Sequence, residues 1–308
     1  MQQSVPKGAF IGLGQMGFPM ARRLVNAGFD VTGYDGADPA RQKFADHGGK
    51  VATSLAKAVE GAGFIITMLP NGQIVQSALF TDPANLTGIL PGALLIEMSS
   101  SAPSETRELA ERLPPSIRLI DAPVSGGVKR AVEGTLAIMA GGDDTDIDAA
   151  SPLLLHMAAR IFRCGPVGAG HAVKAINNFV SGAGVIAAVE AIRLADAFGV
   201  DTTTVTDVLN ASSGKSNTTE MKMKQYMLSG TFDSGFAMGL MAKDIRTAAT
   251  LSNDLGMDQP FLKHTVEVWE AAADSLGGSV DHTRLFEYLH GDKGAVSHVA
   301  NKDDVEKK

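Results

Sequence analysis

The sequence predicts an α/β chain: a doubly wound, parallel N-terminal sheet, then one long interdomain helix, then an all-α C-terminal domain. Three observations predict it. Short apolar runs alternate with amphipathic segments through the first half, the pattern of βαβ units and a parallel sheet. A glycine-rich turn joins the first apolar run to the first helical segment. Beyond about residue 167 helical periodicity takes over, and no convincing strand follows.

AFIGLG reads as the first strand and PMARRLVNAG as a helix, with Leu24 and Val25 on one face and Arg22 and Arg23 on another. DVTGYD is a second strand, and PARQKFADHG a second helix ending at a Gly pair, a common stop. FIITMLP, ALLIEMS and IRLIDAPVS follow as strands, each closing in a turn rich in Ser, Gly, Pro or Asn. TLAIMAGG and ARIFRCG complete the domain. From Gly168, AGHAVKAINNFVSGAGVIAAVEAIRLADAFG carries helical periodicity over an unusual length, with Gly199 at its stop. The segments TTTVTDVLNAS, TEMKMKQYMLSG, GLMAKDIRTAATLSNDLG and FLKHTVEVWEAAADSLG read as helices. The expected division is 1–167 for the first domain, 168–296 for the helical domain, and a polar, disordered tail over 297–308.

The composition narrows the function. With 308 residues, a two-domain chain is the natural expectation. A net charge of −7 argues against a nucleic-acid-coating protein, which needs a basic face for phosphates. A single cysteine, Cys164, allows no internal disulfide and reads as packing, not as a nucleophile. No charged segment precedes an apolar stretch at the N-terminus, so no secretory signal is expected. The apolar run after Asn178 is cut by Glu190, short of the ~20 residues of a membrane span. A cytoplasmic protein without a membrane partner is the expectation. The histidines lack metal-ligand spacing, so no metal is assigned.

Gly12-Leu13-Gly14-Gln15-Met16-Gly17 fits G-x-G-x-x-G between a strand and a helix, the mark of a Rossmann-type dinucleotide site. Gly12 permits the tight turn, Gly14 lets backbone approach a pyrophosphate, and Gly17 permits close helix–strand packing. The helix N-terminus then faces the phosphates. Asp35 ends the second strand about 20 residues on, where a carboxylate binds ribose hydroxyls and repels a 2′-phosphate. NAD is therefore expected over NADP, with Arg41 keeping a dual preference open.

Hydride transfer also needs a proton-transfer group and a substrate anchor. Lys174 and Asn178 stand at i and i+4, so they share one face of the long helix. An ammonium can protonate a nascent alkoxide, and a neutral amine can take the hydroxyl proton in the reverse direction. Asn178 offers both donor and acceptor. By spacing alone such a pair more often lies on a solvated face. Ser125-Gly126-Gly127 after a strand offers a hydroxyl and two open backbone N–H groups, the makings of a carboxylate nest or of a simple tight turn.

These motifs, together with MLPNG at 68–72, GHAVKAINN at 170–178 and MAKD at 241–244, make the chain resemble the β-hydroxyacid dehydrogenase family, especially 3-hydroxyisobutyrate dehydrogenases. The likeness covers nearly the whole chain. It implies Lys174 as catalytic with Asn178 beside it, and Ser125, Gly126 and Gly127 on the substrate carboxylate. It implies Leu69, Pro70 and Ser100 along the cofactor, with Lys243 closing over nicotinamide or substrate and Asp244 as its companion. Ser100 stands where members usually have Thr, keeping the hydroxyl. The resemblance also implies a homo-oligomer, dimer or tetramer, in which the long helix packs between subunits. The small-residue face of Gly182, Gly184, Ala187 and Ala188 suits that role, or packing inside one subunit. The expected activity is NAD-dependent hydride exchange with a small 3-hydroxy acid or semialdehyde.

Two other readings compete. An imine reductase shares the fold but commonly differs where Lys174 stands and lacks the full Ser-Gly-Gly grip. A catalytically silent NAD sensor would have lost Lys174 or the DAPVSGG run at 121–127. His171 reads as a polar neighbour without a catalytic role, and Met221 to Lys224 as an amphipathic surface. Lys215, Asn217, Phe232 and Phe236 are candidates for the substrate side-chain pocket.

Overall fold

A computed structural model describes residues 7–290; the expected tail at 297–308 lies outside them. The described chain divides into two compact units. One runs to Asn177 and includes Thr250–Met257; the other comprises Asn178–Ala249 and continues from Asp258.

In the first unit the strands are β1 (Gly8–Ile11), β2 (Val31–Tyr34), β3 (Lys50–Val51), β4 (Phe64–Thr67), β5 (Leu94–Glu97), β6 (Arg118–Asp121), β7 (Val124–Ser125), β8 (Leu136–Gly141) and β9 (Ala158–Gly165). They form one sheet in the order β3-β2-β1-β4-β5-β6-β8-β7, with β9 on β8. From β3 to β6 every pairing is parallel. The chain crosses from β3 over to β4 on the far side of β1, and the reversal opens a crevice at the carboxyl edge of β1 and β4.

Alternation along the strands puts apolar side chains on both faces. Phe10, Phe64, Ile66, Leu94 and Ile96 pack into one buried cluster, and Ala9, Ile11, Ile65 and Leu95 into the other. Two buried faces explain why these strands read as continuous apolar runs.

The later part of the sheet departs from the parallel expectation. IRLIDAPVS forms two strands, β6 and β7, interrupted at Ala122-Pro123, and both pair antiparallel with β8. The proline cannot donate to a ladder, which ends one strand and frees the chain to turn. Lys50–Val51, too short and polar for a periodicity signal, adds an edge strand beside β2.

The long helix spans Ala169–Phe198, 30 residues. Contrary to the expectation from the interrupted apolar run, its length and composition would suffice to cross a membrane. Half of the relevant window is nevertheless buried in the protein, as in a core helix. In the second unit, Gly182 removes a side chain that would meet Ile245 Cδ1 at 2.4 Å. Trp269, fully buried, donates its indole N–H to Gly182 O at 3.2 Å. This part of the small-residue face therefore packs within the subunit. The helices Met238–Asp254 and Pro260–Leu276 complete that core with the π-helical turn Thr219–Leu228.

Met221–Lys224 departs from the amphipathic surface expected of it. Met223 is fully buried and Met221 half exposed. Lys222 is drawn inward, and burial lowers its pKa to about 8. The wider π-helical turn breaks the 3.6-residue spacing on which the surface reading relied.

Candidate active site

The parallel register aligns Ile11, Thr67, Glu97 and Asp121 in one row at the carboxyl ends of β1, β4, β5 and β6. The turns that follow, at 12–17, 68–72, 98–102 and 122–127, thus leave the same edge. The motifs scattered through the first unit's sequence converge there because each directly follows a strand.

At β1 the Gly-rich turn behaves as its three glycines require. Gly12 takes a φ of +99°, and a Cβ there would sit 2.2 Å from Met68 O. A Cβ on Gly17 would lie 1.9 Å from Gly12 O, so the helix Gly17–Asn26 can start only with glycine at that place. At Gly14 a Cβ would meet nothing within 4 Å among the described residues. No packing among the described residues demands glycine there, which leaves room for an outside group to approach the backbone. Among the described residues no side chain caps the helix, so its first turn offers N–H groups to an anion.

Asp35 follows β2 and joins this turn directly. Its Oδ2 accepts the Leu13 N–H at 2.8 Å and its Oδ1 the Ala37 N–H at 2.8 Å. Arg41 donates to Asp35 O and to the carboxylate of Asp38, and its guanidinium lies 5.7 Å from the Tyr34 ring centroid. The turn and the oriented carboxylate together fit an adenine dinucleotide.

Leu69 N–H donates to Ser99 Oγ at 2.9 Å, tying the loop after β4 to the loop after β5. Leu69 and Ser100 are half-buried and Pro70 is exposed. Ser125 ends β7; Gly126 and Gly127 follow with φ of +136° and +68°, exposed to solvent. Successive left-handed glycines account for this Gly pair by backbone geometry, and they leave its amides open to an anion.

The start of the long helix is docked on the same edge by a cluster that sequence reasoning missed. Asp121 accepts the Gly168 N–H at 2.7 Å and the His171 N–H at 2.8 Å. A Cβ on Gly170 would strike Met139 O at 2.2 Å, so this turn lies directly against the sheet. The His171 ring is buried, with Nε2 2.9 Å from Glu97 Oε2 and Nδ1 2.8 Å from Thr106 Oγ1. Burial works against both charges of the pair. The mutual attraction of Glu97 and His171 outweighs it, lowering the carboxyl and raising the imidazole pKa. Burial raises Asp121. Carboxylates closing the apolar strands LLIE and RLID were the available signal, since a buried acid needs a partner.

Lys174 lies one turn beyond His171 on this helix and is half-buried. Asn178 follows one turn later on the same face. In the second unit the Asn178 amide donates to Asp244 Oδ2 at 2.5 Å, and Lys243 Nζ lies 3.1 Å from Asp244 Oδ1. Asp244 is 5 % exposed, so this is a buried bridge between two predicted site residues and not a surface ion pair. Cys164 is half-buried; burial and the Asp121 charge raise its thiol pKa, which disfavours a nucleophilic thiolate.

A doubly wound sheet with this turn and this strand-end carboxylate defines a dinucleotide-binding domain of the oxidoreductase kind. Comparison with known proteins agrees. A family profile described as the NAD binding domain of 6-phosphogluconate dehydrogenase matches residues 7–165. A second, described as NAD-binding of NADP-dependent 3-hydroxyisobutyrate dehydrogenase, matches residues 168–289. The chain is 37 % identical over 276 residues to a probable 3-hydroxyisobutyrate dehydrogenase of Mycobacterium tuberculosis, covering 86 % of this chain and 92 % of the relative. An NAD-dependent L-serine dehydrogenase of Pseudomonas aeruginosa is 36 % identical, over 78 % of this chain and 83 % of its own. A solved structure of the M. tuberculosis 3-hydroxyisobutyrate dehydrogenase with L-serine superposes with a TM-score of 0.87 and 34 % identity, covering 92 % and 99 % of the two chains. An imine reductase from Myxococcus stipitatus, at 16 % identity and a TM-score of 0.64, shares the fold alone. The chain belongs to the β-hydroxyacid dehydrogenase family.

Proposed function

We propose that this chain exchanges a hydride between NAD and a small 3-hydroxy acid or its semialdehyde, with Lys174 moving the proton. The observation that carries the proposal is the docked start of the long helix. Through Asp121 and His171 it ties the Lys174 turn to the sheet edge that also bears the Gly12–Gly17 and Ser125–Gly127 turns.

In this reading Gly12, Leu13, Gly14, Gln15, Met16 and Gly17 hold the pyrophosphate, and Asp35 the adenosine ribose. Leu69, Pro70, Ser100 and Lys243 complete the cofactor contacts. Bound NAD supplies the hydride acceptor, and NADH the donor. Ser125, Gly126 and Gly127 grip the substrate carboxylate with a hydroxyl and two amides. Lys174 takes the proton from the substrate hydroxyl during oxidation and returns one to the carbonyl oxygen during reduction. Asn178 orients Lys174 or the same oxygen, its amide held by Asp244.

The Asp35 carboxylate supports NAD over NADP by repelling a 2′-phosphate. Arg41, a nearby cation that could attract that phosphate, is engaged by Asp38. The relative named as NAD-dependent points the same way, whereas the profile over the helical half carries the name NADP-dependent.

A homo-oligomer in the cytoplasm belongs to the same reading. Val173, Ile176, Val180, Ala187 and Leu194 form an exposed stripe near heptad spacing along the long helix, with Val180 63 % and Leu194 73 % exposed. Such a seam suits helix packing against a second copy.

A screen of short 3-hydroxy acids with NAD and NADP, followed at the reduced-cofactor absorbance, tests the proposal. It predicts turnover on a 3-hydroxyisobutyrate-like acid with NAD. Turnover confined to cyclic imines would overturn it.

A further inference from the structure

We infer that His171 is a positioning residue for the hydride-transfer reaction, acting as a buried imidazolium that fixes the helical turn carrying Lys174. The inference rests on the proton-transfer role proposed for Lys174.

The protonation state follows from the partners. Nε2 faces Glu97 Oε2 at 2.9 Å and the Ser99 carbonyl at 2.9 Å, both acceptors. Nδ1 faces Thr106 Oγ1 at 2.8 Å. Thr106 Oγ1 also reaches Ala102 O at 3.1 Å, so with its proton placed there its oxygen accepts from the ring. Nε2 faces acceptors, and Nδ1 lies beside the Thr106 hydroxyl and 3.5 Å from the Asp121 carboxylate, surroundings that favour the doubly protonated, cationic ring.

Glu97 is arranged to receive it. Its Oε1 takes the Ser99 N–H at 2.8 Å, and its Oε2, with no hydrogen-bond partner among the described residues, lies 2.9 Å from Nε2 as a charge contact. Asp121, on the adjacent strand, has its Oδ2 3.5 Å from Nδ1 while accepting the two backbone N–H bonds from the helix start. Strands β5 and β6, the helix Pro103–Arg112 and the long helix thus meet at one side chain that is 1 % exposed.

A neutral side chain could fill this space but would leave Glu97 as an uncompensated buried carboxylate, one of the costliest defects in a fold. The local remedy is a shift of the helix start that lets water in. Lys174 stands three residues on, only ~4.5 Å along the axis, so it would move with that turn. Proton transfer demands hydrogen-bond reach, whereas the Gly12–Gly17 turn lies on another strand and would keep its cofactor affinity.

The test compares His171→Gln with the double variant His171→Gln, Glu97→Gln. The single variant keeps donors and acceptors at the ring site but strands the carboxylate; the double variant removes both charges. Positioning predicts that His171→Gln lowers kcat at least tenfold, leaves NADH Kd within about twofold, and regains most of kcat in the double variant. A lower melting temperature with kcat and KM unchanged in the folded enzyme would reduce His171 to a structural residue and overturn the inference. So would a double variant no better than the single one. Lys174→Ala run in parallel separates the two claims. If it keeps full turnover, the proton-transfer role fails; if it is inactive while His171→Gln is unimpaired, only the positioning role fails.

Discussion

Leu13 N–H donates to Asp35 Oδ2 at 2.8 Å, joining the Gly-rich turn to an acid at the end of the next strand. The carboxylate is therefore part of the turn's architecture as well as a candidate ribose ligand. Asp35→Ser is expected to raise the NAD Kd by roughly tenfold and to reverse or erase the preference against NADP, about 1.4 kcal/mol of discrimination per factor of ten. The ratio of kcat/KM for the two cofactors checks this. An unchanged ratio would remove Asp35 from cofactor choice.

Gly14 and Gly17 give a contrasted pair. A methyl on Gly17 would lie 1.9 Å from Gly12 O and must disrupt the strand–helix contact. A methyl on Gly14 touches nothing within 4 Å among the described residues. Gly17→Ala should therefore lower the melting temperature sharply. Gly14→Ala should leave it unchanged while weakening NADH binding by an order of magnitude or more, read by calorimetric titration. Normal binding in Gly14→Ala would mean that no pyrophosphate approaches there.

The Glu97–His171 pair makes stability depend on pH. Glu97 sits below its ordinary value of 4.5. Its contribution is complete above 4.5 and is lost as pH falls through the lower folded value. His171 sits above 6.5, so its contribution is complete below 6.5 and is lost as pH rises through the higher folded value. Chemical denaturation of wild type and His171→Gln should differ most between pH 4.5 and 6.5 and converge on both sides. A difference independent of pH would show that the ring is uncharged.

Lys222 and His282 oppose each other in the helical unit. Burial followed by the Lys222 charge depresses His282 to about 4, and burial depresses Lys222 to about 8. The fold therefore disfavours the Lys222 ammonium at neutral pH. That cost persists below pH 8 and disappears as the unfolded amine also loses its proton toward 10.5. Lys222→Met is expected to stabilise the protein at pH 7 by about 1–3 kcal/mol and to raise the His282 pKa toward 6.5. Denaturant titration and imidazole NMR shifts check both; a destabilised variant with an unmoved His282 would contradict them.

Features encoded in consecutive residues were legible in the sequence. The turn Gly12–Gly17, the strand-end Asp35 and the paired glycines 126 and 127 follow from local backbone chemistry, and the long helix from periodicity. What joins distant segments was not. His171 meets Glu97 and Asp121 across 74 and 50 residues, and no periodicity marks such a pairing. Pro123 divides a run that otherwise looks continuous, and β6 and β7 on its two sides both pair antiparallel with β8, a later strand that the run itself does not announce. Lys222 alternates with methionines that look like a surface stripe, until a π-helical turn carries Met223 inside.

Steady-state turnover of Lys174→Ala, with NADH affinity measured on the same sample, bears most directly on the central claim. An ammonium that moves the substrate proton predicts a kcat lower by roughly 100-fold or more, with NADH affinity nearly intact. Turnover equal to that of the unaltered enzyme would contradict the account.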